Sequence, residues 1–133
     1  MANLTSQEVN ELANYLLAMA KSISDYRIKN FNTLSPPENQ KIKDLNDAIL
    51  NYADQLYTMS AILVLDDVAT ALSTINEVTN KMQATYTKLL DVQKAINIAA
   101  SVVALGESIV KLDPNAVKAS IGGIVNTLKT PST

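Results

Sequence analysis

The chain has 133 residues, a length that favours a single folded domain spanning 1–133. Hydrophobic residues make up 47% of it and charged residues 18%, with three Gly and four Pro, which is typical of a folded helical chain and excludes a disordered or fibrous one. The chain contains no His, Cys or Trp, which excludes histidine general bases, thiol nucleophiles, disulfides and zinc sites built from imidazole or thiolate ligands.

Capping residues mark the starts of several predicted helices. Thr5 with Glu8, and Ser35 with Glu38, have the spacing of a capping box, in which each side chain bonds the backbone N–H of the other residue. Asp113, directly before a proline, is suited to capping the last helix. The predicted helices span 6–31, 36–65, 68–112 and 114–129.

The third predicted helix is longer than the others because nothing interrupts its apolar pattern. Apolar or small residues recur at intervals of seven along it, without a proline and with Gly106 as its only glycine. A continuous helix over 68–112 would be about 67 Å long. The alternative is a break near Ser101 or Gly106 that folds the helix back on itself.

The apolar stripes of these helices predict the fold class. Positions beside each stripe are often Ala, Ser or Thr rather than charged residues, so each helix buries a wide face. We expect an all-α fold, an antiparallel up-and-down helical bundle of about four helices with coiled-coil-like packing, a long third helix and a short C-terminal helix. The expected core residues are Leu12, Leu16, Ile23, Leu45, Ile49, Leu56, Ile75, Met82, Leu89 and Ile96.

Two groups of carboxylates could suggest a metal site. Asp44, Asp47 and Asp54 lie opposite the apolar seam of the second helix, so we interpret them as part of a solvated face. Metal-binding helical bundles use inward-facing Glu and His ligands, and this chain has no His. Asp66 and Asp67 are interpreted as helix caps. No metal or cofactor is therefore expected.

The charge pattern does not favour a nucleic-acid partner. The formal net charge is −2, and acidic and basic residues are interspersed along the chain, without the basic patch that nucleic acid or anionic lipid requires. Lys81, Lys88 and Lys94 form a loose basic stretch that Glu77 and Asp91 interrupt. With few aromatic residues available for base stacking, we expect no nucleic-acid binding.

A glycine pair lies in the middle of the last predicted helix. Gly122 and Gly123 each cost a helix about 1 kcal/mol relative to Ala. We interpret the pair as a site of close packing against small residues of the third helix, with a flexible hinge as the alternative.

A second apolar ladder runs along the last part of the third predicted helix. Its members are spaced by four, three, four and three residues and lie nearly opposite the main apolar seam of the same helix. The main seam in this part of the helix consists of Ile96, Ala99, Val103, Gly106 and Val110. Because the short fourth helix can cover only one face, we expect this ladder to be exposed and to form an interaction surface. The alternative is that the helix breaks and both ladders are internal. The candidate residues are Ile98, Val102, Leu105, Ile109 and Leu112.

These patterns favour a non-enzymatic interaction or structural protein. We expect it to associate with copies of itself or with another protein through its apolar C-terminal hairpin, since no constellation of acid, base and nucleophile stands out. The alternative is a membrane-active protein, either pore-forming or bound to a lipid surface, although charged residues at the hairpin tip oppose insertion.

The sequence also carries expectations about location. The first residues lack the basic and apolar regions of a secretory signal, and no run of about 18 apolar residues is long enough to span a membrane. We therefore expect the protein in the cytoplasm, or exported without an N-terminal signal peptide.

Overall fold

The computed structural model of the chain describes residues 2–3, 6–58, 64–65, 68–89, 91–111 and 113–129. Within these ranges the all-α prediction is confirmed, with five helices rather than about four. The helices are α1 (Ser6–Lys29), α2 (Pro36–Thr58), α3 (Val68–Lys88), α4 (Val92–Val110) and α5 (Pro114–Lys129). The sequence did not predict a minimal antiparallel ladder, in which β1 (Ala2–Asn3) pairs with β2 (Val64–Leu65).

The first two helices are joined by a short turn and a capping box. The Ser35 N–H donates to Glu38 Oε1 at 2.9 Å, and the Glu38 N–H donates to Ser35 Oγ at 3.2 Å, so the predicted box is confirmed. The structure describes α2 as a helix as far as Thr58. Its predicted extension to 65 is wrong at Val64–Leu65, which is a strand. The other predicted capping residue, Thr5, lies outside the described residues.

The third predicted helix is two helices. A continuous helix over 68–112 is wrong, and so are both alternative break positions, because Ser101 and Gly106 lie inside α4. Instead, α3 ends before Asp91, whose side chain caps α4 by accepting a hydrogen bond at 3.2 Å from a backbone N–H in its first turn. The apolar spacing of seven continues across this break, so only the capping residue marks it.

The last helix is confirmed at its predicted bounds. α5 spans Pro114–Lys129, and the Ala116 N–H donates to Asp113 Oδ1 at 3.1 Å, as expected of a capping aspartate. The prediction of close packing at Gly122 and Gly123 is wrong, because a Cβ atom at either position would meet nothing within 4 Å. Both glycines lie on the exposed face of α5.

Hydrogen bonds between helices show which helix ends lie together. The end of α1 meets the start of α2 and the end of α3, the end of α3 meets the start of α4, and the start of α4 meets the end of α5. These bonds are Arg27 Nη1 to Asn39 Oδ1 (3.2 Å), Lys29 Nζ to the Thr87 carbonyl (3.0 Å), the Tyr86 hydroxyl to the Ala95 carbonyl (2.8 Å) and Lys94 Nζ to the Leu128 carbonyl (3.4 Å). One end of the molecule therefore collects the ends of three helices and the starts of two.

The core contains most of the predicted residues. Eight of the ten predicted core residues are buried, and the other two, Leu45 and Ile96, are half-buried against the same core. All five helices contribute buried apolar side chains to this cluster. From α5, however, only Val117 and Ile124 are fully buried, so that helix is held by the smallest apolar contribution.

Candidate interaction surface

The apolar ladder predicted as an interaction surface lies inside the molecule. Four of its residues are no more than 2% exposed, namely Ile98, Val102, Leu105 and Ile109. The fifth, Leu112, lies outside the described residues. The expectation of an exposed ladder is therefore wrong, because the chain turns back before Asp91 and α4 then packs against α2 and α5. The main seam is only half-buried at Ile96 and Val103.

The carboxylates considered as metal ligands are on the outside of α2. Asp44, Asp47 and Asp54 are exposed, and the first two accept hydrogen bonds, at 2.7 and 3.0 Å, from side chains one turn earlier. In the part of the chain that the structure describes, no three His, Cys, Asp or Glu residues are grouped so that they could hold a metal ion. The aspartates at 66–67 lie outside that part.

Basic side chains collect at one end of the molecule, where α1, α3 and α5 end and α2 and α4 begin. This basic end carries Arg27, Lys29, Lys88, Lys94 and Lys129. Most of these lie in the last turns of helices, where the helix dipole favours positive charge. The same end has three acidic residues: the Glu38 and Asp91 carboxylates accept hydrogen bonds in helix caps, and Asp25 pairs with Lys21 at 2.9 Å. The basic end therefore has an excess of positive charge.

Acidic side chains collect at the opposite end, about 24–36 Å away along helices of 16 to 24 residues. The Tyr57 hydroxyl donates to Asn14 Oδ1, which joins the end of α2 to the first half of α1. Two lysines, Lys111 and Lys118, lie at this end, and the hydrogen bond and negative charge of Glu107 raise the pKa of Lys111. The acidic end carries Glu8, Glu11, Asp54, Glu107 and Asp113.

The order of residues in the sequence hides this separation of charge. Each helix runs from one end of the molecule to the other, so the residues of the basic end are dispersed over 27–29, 88–94 and 129. Acidic and basic residues are interspersed along the chain, as the sequence indicates, but the fold separates them in space. Counting charges by their distance from the predicted turns would not have found this separation, because Lys88 and Lys94 lie in the middle of the predicted helix over 68–112 and reach an end only through the break before Asp91.

Two large apolar side chains are exposed at the basic end. Ile28 is 66% exposed and Phe31 is 58% exposed, and we call these two residues the apolar tip. They lie at the end of α1 and in the turn that follows it, where the Phe31 N–H donates to the Ile28 carbonyl at 3.3 Å. Leu34, in the same turn, is buried and attaches the turn to the core. The turn is therefore anchored to the core, while the side chains of Ile28 and Phe31 are exposed.

A groove between α1 and α3 has a volume of about 240 Å³. Its lining includes Tyr26 and Tyr86, whose ring centroids are 5.3 Å apart, and burial raises the pKa of both phenols. Several polar groups of the lining are already bonded within the chain: Lys21 pairs with Asp25 at 2.9 Å, and the Thr79 hydroxyl donates to a carbonyl of its own helix at 2.7 Å. The groove is thus a less favourable candidate than the basic end.

Comparison with known proteins shows no family for this chain. Searches of protein-family models, of curated proteins and of solved structures each found no match. The candidate site is therefore defined by the geometry of the chain itself, as a basic end that carries the apolar tip and an acidic end on the opposite side.

Proposed function

We propose that this protein is a non-enzymatic interaction protein that associates head to tail with copies of itself. The basic end of one molecule contacts the acidic end of the next. The separation of charge along the helices supports this proposal, since one molecule carries two surfaces of opposite sign. A contact between two different surfaces leaves one of each free, so assembly extends into chains unless its rotation closes a ring.

The strength expected of such a contact is modest. An exposed ion pair contributes up to about 1 kcal/mol, and physiological salt screens charges beyond about 8 Å. The basic end has five basic residues against three acidic ones, and the acidic end has five acidic residues against two basic ones, so several pairs act together across the contact. We therefore expect association that strengthens steeply as the salt concentration falls.

Light scattering at several protein and salt concentrations tests the proposal. The average mass should rise with protein concentration at about 20 mM salt and return to that of a monomer at about 500 mM salt, because the Debye length shortens severalfold. A protein that remains monomeric at low salt contradicts self-association.

Paired variants test the head-to-tail arrangement. Lys88→Gln with Lys129→Gln weakens the basic end, and Glu11→Gln with Asp54→Asn weakens the acidic end. Each double variant alone should associate less than the parent. An equal mixture should form pairs but no longer chains, because one variant keeps its acidic end and the other keeps its basic end.

A double variant away from both ends provides the control. Lys43→Gln with Lys81→Gln changes the net charge by the same amount as the basic-end variant, but both residues lie partway along α2 and α3. This control should associate as the parent does at matched salt. Equal loss of association in this control and in the basic-end variant, which carry the same net charge, would show that net charge, rather than its placement, governs the contact.

A further inference from the structure

We propose that the apolar tip and the basic residues around it form a docking surface for an anionic bilayer. The inference rests on the exposure of Ile28 and Phe31, which are the two most exposed large apolar side chains of the described residues. It does not depend on self-association. It assigns to the basic end a second kind of partner, a lipid surface with negatively charged head groups.

The shape of the tip favours a lipid surface over a preformed protein pocket. Ile28 and Phe31 lie at the turn that closes the α1–α2 hairpin, at the end of the molecule, and not in a groove between helices. A bilayer interface deforms around such a tip and buries its apolar side chains without a matching recess. Aromatic and aliphatic side chains at this depth contact the acyl chains while the neighbouring polar residues remain in the head-group region.

Backbone N–H groups of the turn form hydrogen bonds within the protein, which favours moving the turn from water into a lipid interface. The N–H groups of Asn30, Phe31, Thr33 and Leu34 all donate to carbonyls of the turn or the last turn of α1, at 2.9 to 3.3 Å. The Thr33 hydroxyl also donates to the Asn30 carbonyl at 2.9 Å. Because unpaired backbone donors are costly in a lipid environment, these bonds lower the cost of bringing the tip into the interface.

The charges around the tip complement an anionic surface. Arg27 and Lys29 flank Ile28 in the sequence, and Lys88 and Lys129 end the helices at the same end of the molecule. Each basic residue near an anionic bilayer adds to the attraction, which decays within a Debye length. The acidic end lies opposite, so the charge separation also orients the molecule with its tip toward the membrane.

The docking is superficial. No helix in the ranges that the structure describes combines the length and apolar character needed to cross a membrane. The proposal accordingly places Ile28 and Phe31 in the interface and leaves the helices outside it.

Tryptophan fluorescence provides a direct test, because the natural chain contains no Trp. In Phe31→Trp, the emission should shift to the blue when vesicles of phosphatidylcholine with about one-third phosphatidylserine are added, and much less with phosphatidylcholine alone. Leu50→Trp, at an exposed position along α2, is the matched control and should not shift. Equal shifts at both positions, or none at Phe31→Trp, would overturn the proposal.

Vesicle sedimentation measures the contribution of the tip. Ile28→Ser with Phe31→Ser should weaken binding to the anionic vesicles by about tenfold or more, as expected for the loss of two buried apolar side chains. Lys88→Gln with Lys129→Gln should weaken it severalfold and reduce its salt dependence. Circular dichroism on each variant verifies that the helices are intact. Unchanged vesicle binding by the folded Ile28→Ser, Phe31→Ser protein would refute the role of the tip.

Two outcomes separate this proposal from self-association. Binding to anionic vesicles by a parent that is monomeric even at about 20 mM salt supports lipid docking and contradicts only the head-to-tail contact. A blue shift of Phe31→Trp that follows protein concentration and is indifferent to anionic vesicles would instead place the tip in a contact between proteins and overturn lipid docking.

Discussion

Gly106 is a position where the structure leaves no room for a side chain. A Cβ atom there would lie 2.7 Å from Tyr52 Cδ2 and 3.1 Å from Tyr52 Cβ, so the tyrosine of α2 occupies the space beside α4. Because Tyr52 Cβ is fixed to the backbone, relief requires a shift of one helix relative to the other. The sequence identified Gly106 as the only glycine of the third predicted helix and as an alternative break position, but could not show that a tyrosine side chain covers it.

Substituting Gly106 should therefore destabilise the protein. In Gly106→Ala, overpacking costs about 1–3 kcal/mol and outweighs the gain of about 1 kcal/mol from the higher helix propensity of Ala. Gly122→Ala and Gly123→Ala are the controls, and each should stabilise by about 0.5–1 kcal/mol because nothing lies near the added Cβ. Urea unfolding measures all three, and a stabilised Gly106→Ala would contradict the close contact with Tyr52.

At the scale of single elements, capping residues were better predictors than apolar spacing. The capping signals at Ser35 and Asp113 placed the starts of α2 and α5 correctly. The repeat of seven predicted one helix over 68–112, because α3 and α4 both bury apolar residues and the spacing happens to continue across Asp91. Asp91, a residue type that favours the N-cap position, was the local signal for a break, and the regular apolar pattern outweighed it.

The cap of α4 can be tested directly. Asp91→Ala should cost about 1 kcal/mol of unfolding free energy, because the side chain no longer accepts the hydrogen bond from the first turn. Asp91→Asn keeps a capping oxygen and should retain most of the stability. Chemical denaturation of the two variants makes the comparison, and equal losses would show that Asp91 acts through its charge rather than as a cap.

The two apolar ladders of α4 are distinguished by substitution. Ile98 is fully buried and Ile96 is half-buried, so Ile98→Ala should cost about 2–5 kcal/mol and Ile96→Ala less than half as much. Both changes replace the same side chain in the same helix, so helix propensity cancels from the comparison. Thermal or urea unfolding that ranks Ile96→Ala as the more damaging change would restore the sequence-based assignment, with the main seam inside and the second ladder outside.

At the scale of the whole molecule, the sequence predicted the fold class and most of the core, but not the candidate site. Core positions follow from local periodicity, which each helix carries in its own sequence. The basic end depends on how the helix ends are brought together by contacts such as Lys29 to Thr87, which join residues far apart in the chain. Exposure of Ile28 and Phe31 likewise depends on which helices leave that end uncovered.

The same assembly makes the stability of the whole molecule sensitive to alkaline pH. Burial raises the pKa of Tyr86 above its usual value near 10, and burial together with the charges of Asp91 and Glu38 raises that of Tyr26. Above pH ~10 the unfolded chain loses phenolic protons that the folded chain keeps, so the folded state binds more protons than the unfolded state. Its stability is complete below that pH and falls as the pH rises further.

Tyr86→Phe tests this linkage. At neutral pH the variant should lose about 1 kcal/mol, because the hydroxyl no longer donates to the Ala95 carbonyl. Above pH ~10 its stability should fall less steeply than that of the parent, by up to about 1.4 kcal/mol per pH unit, since one proton no longer distinguishes the two states. Urea unfolding across this pH range gives the slopes, and parallel curves for Tyr86→Phe and the parent would show that the Tyr86 phenol is not protected from ionisation by the fold.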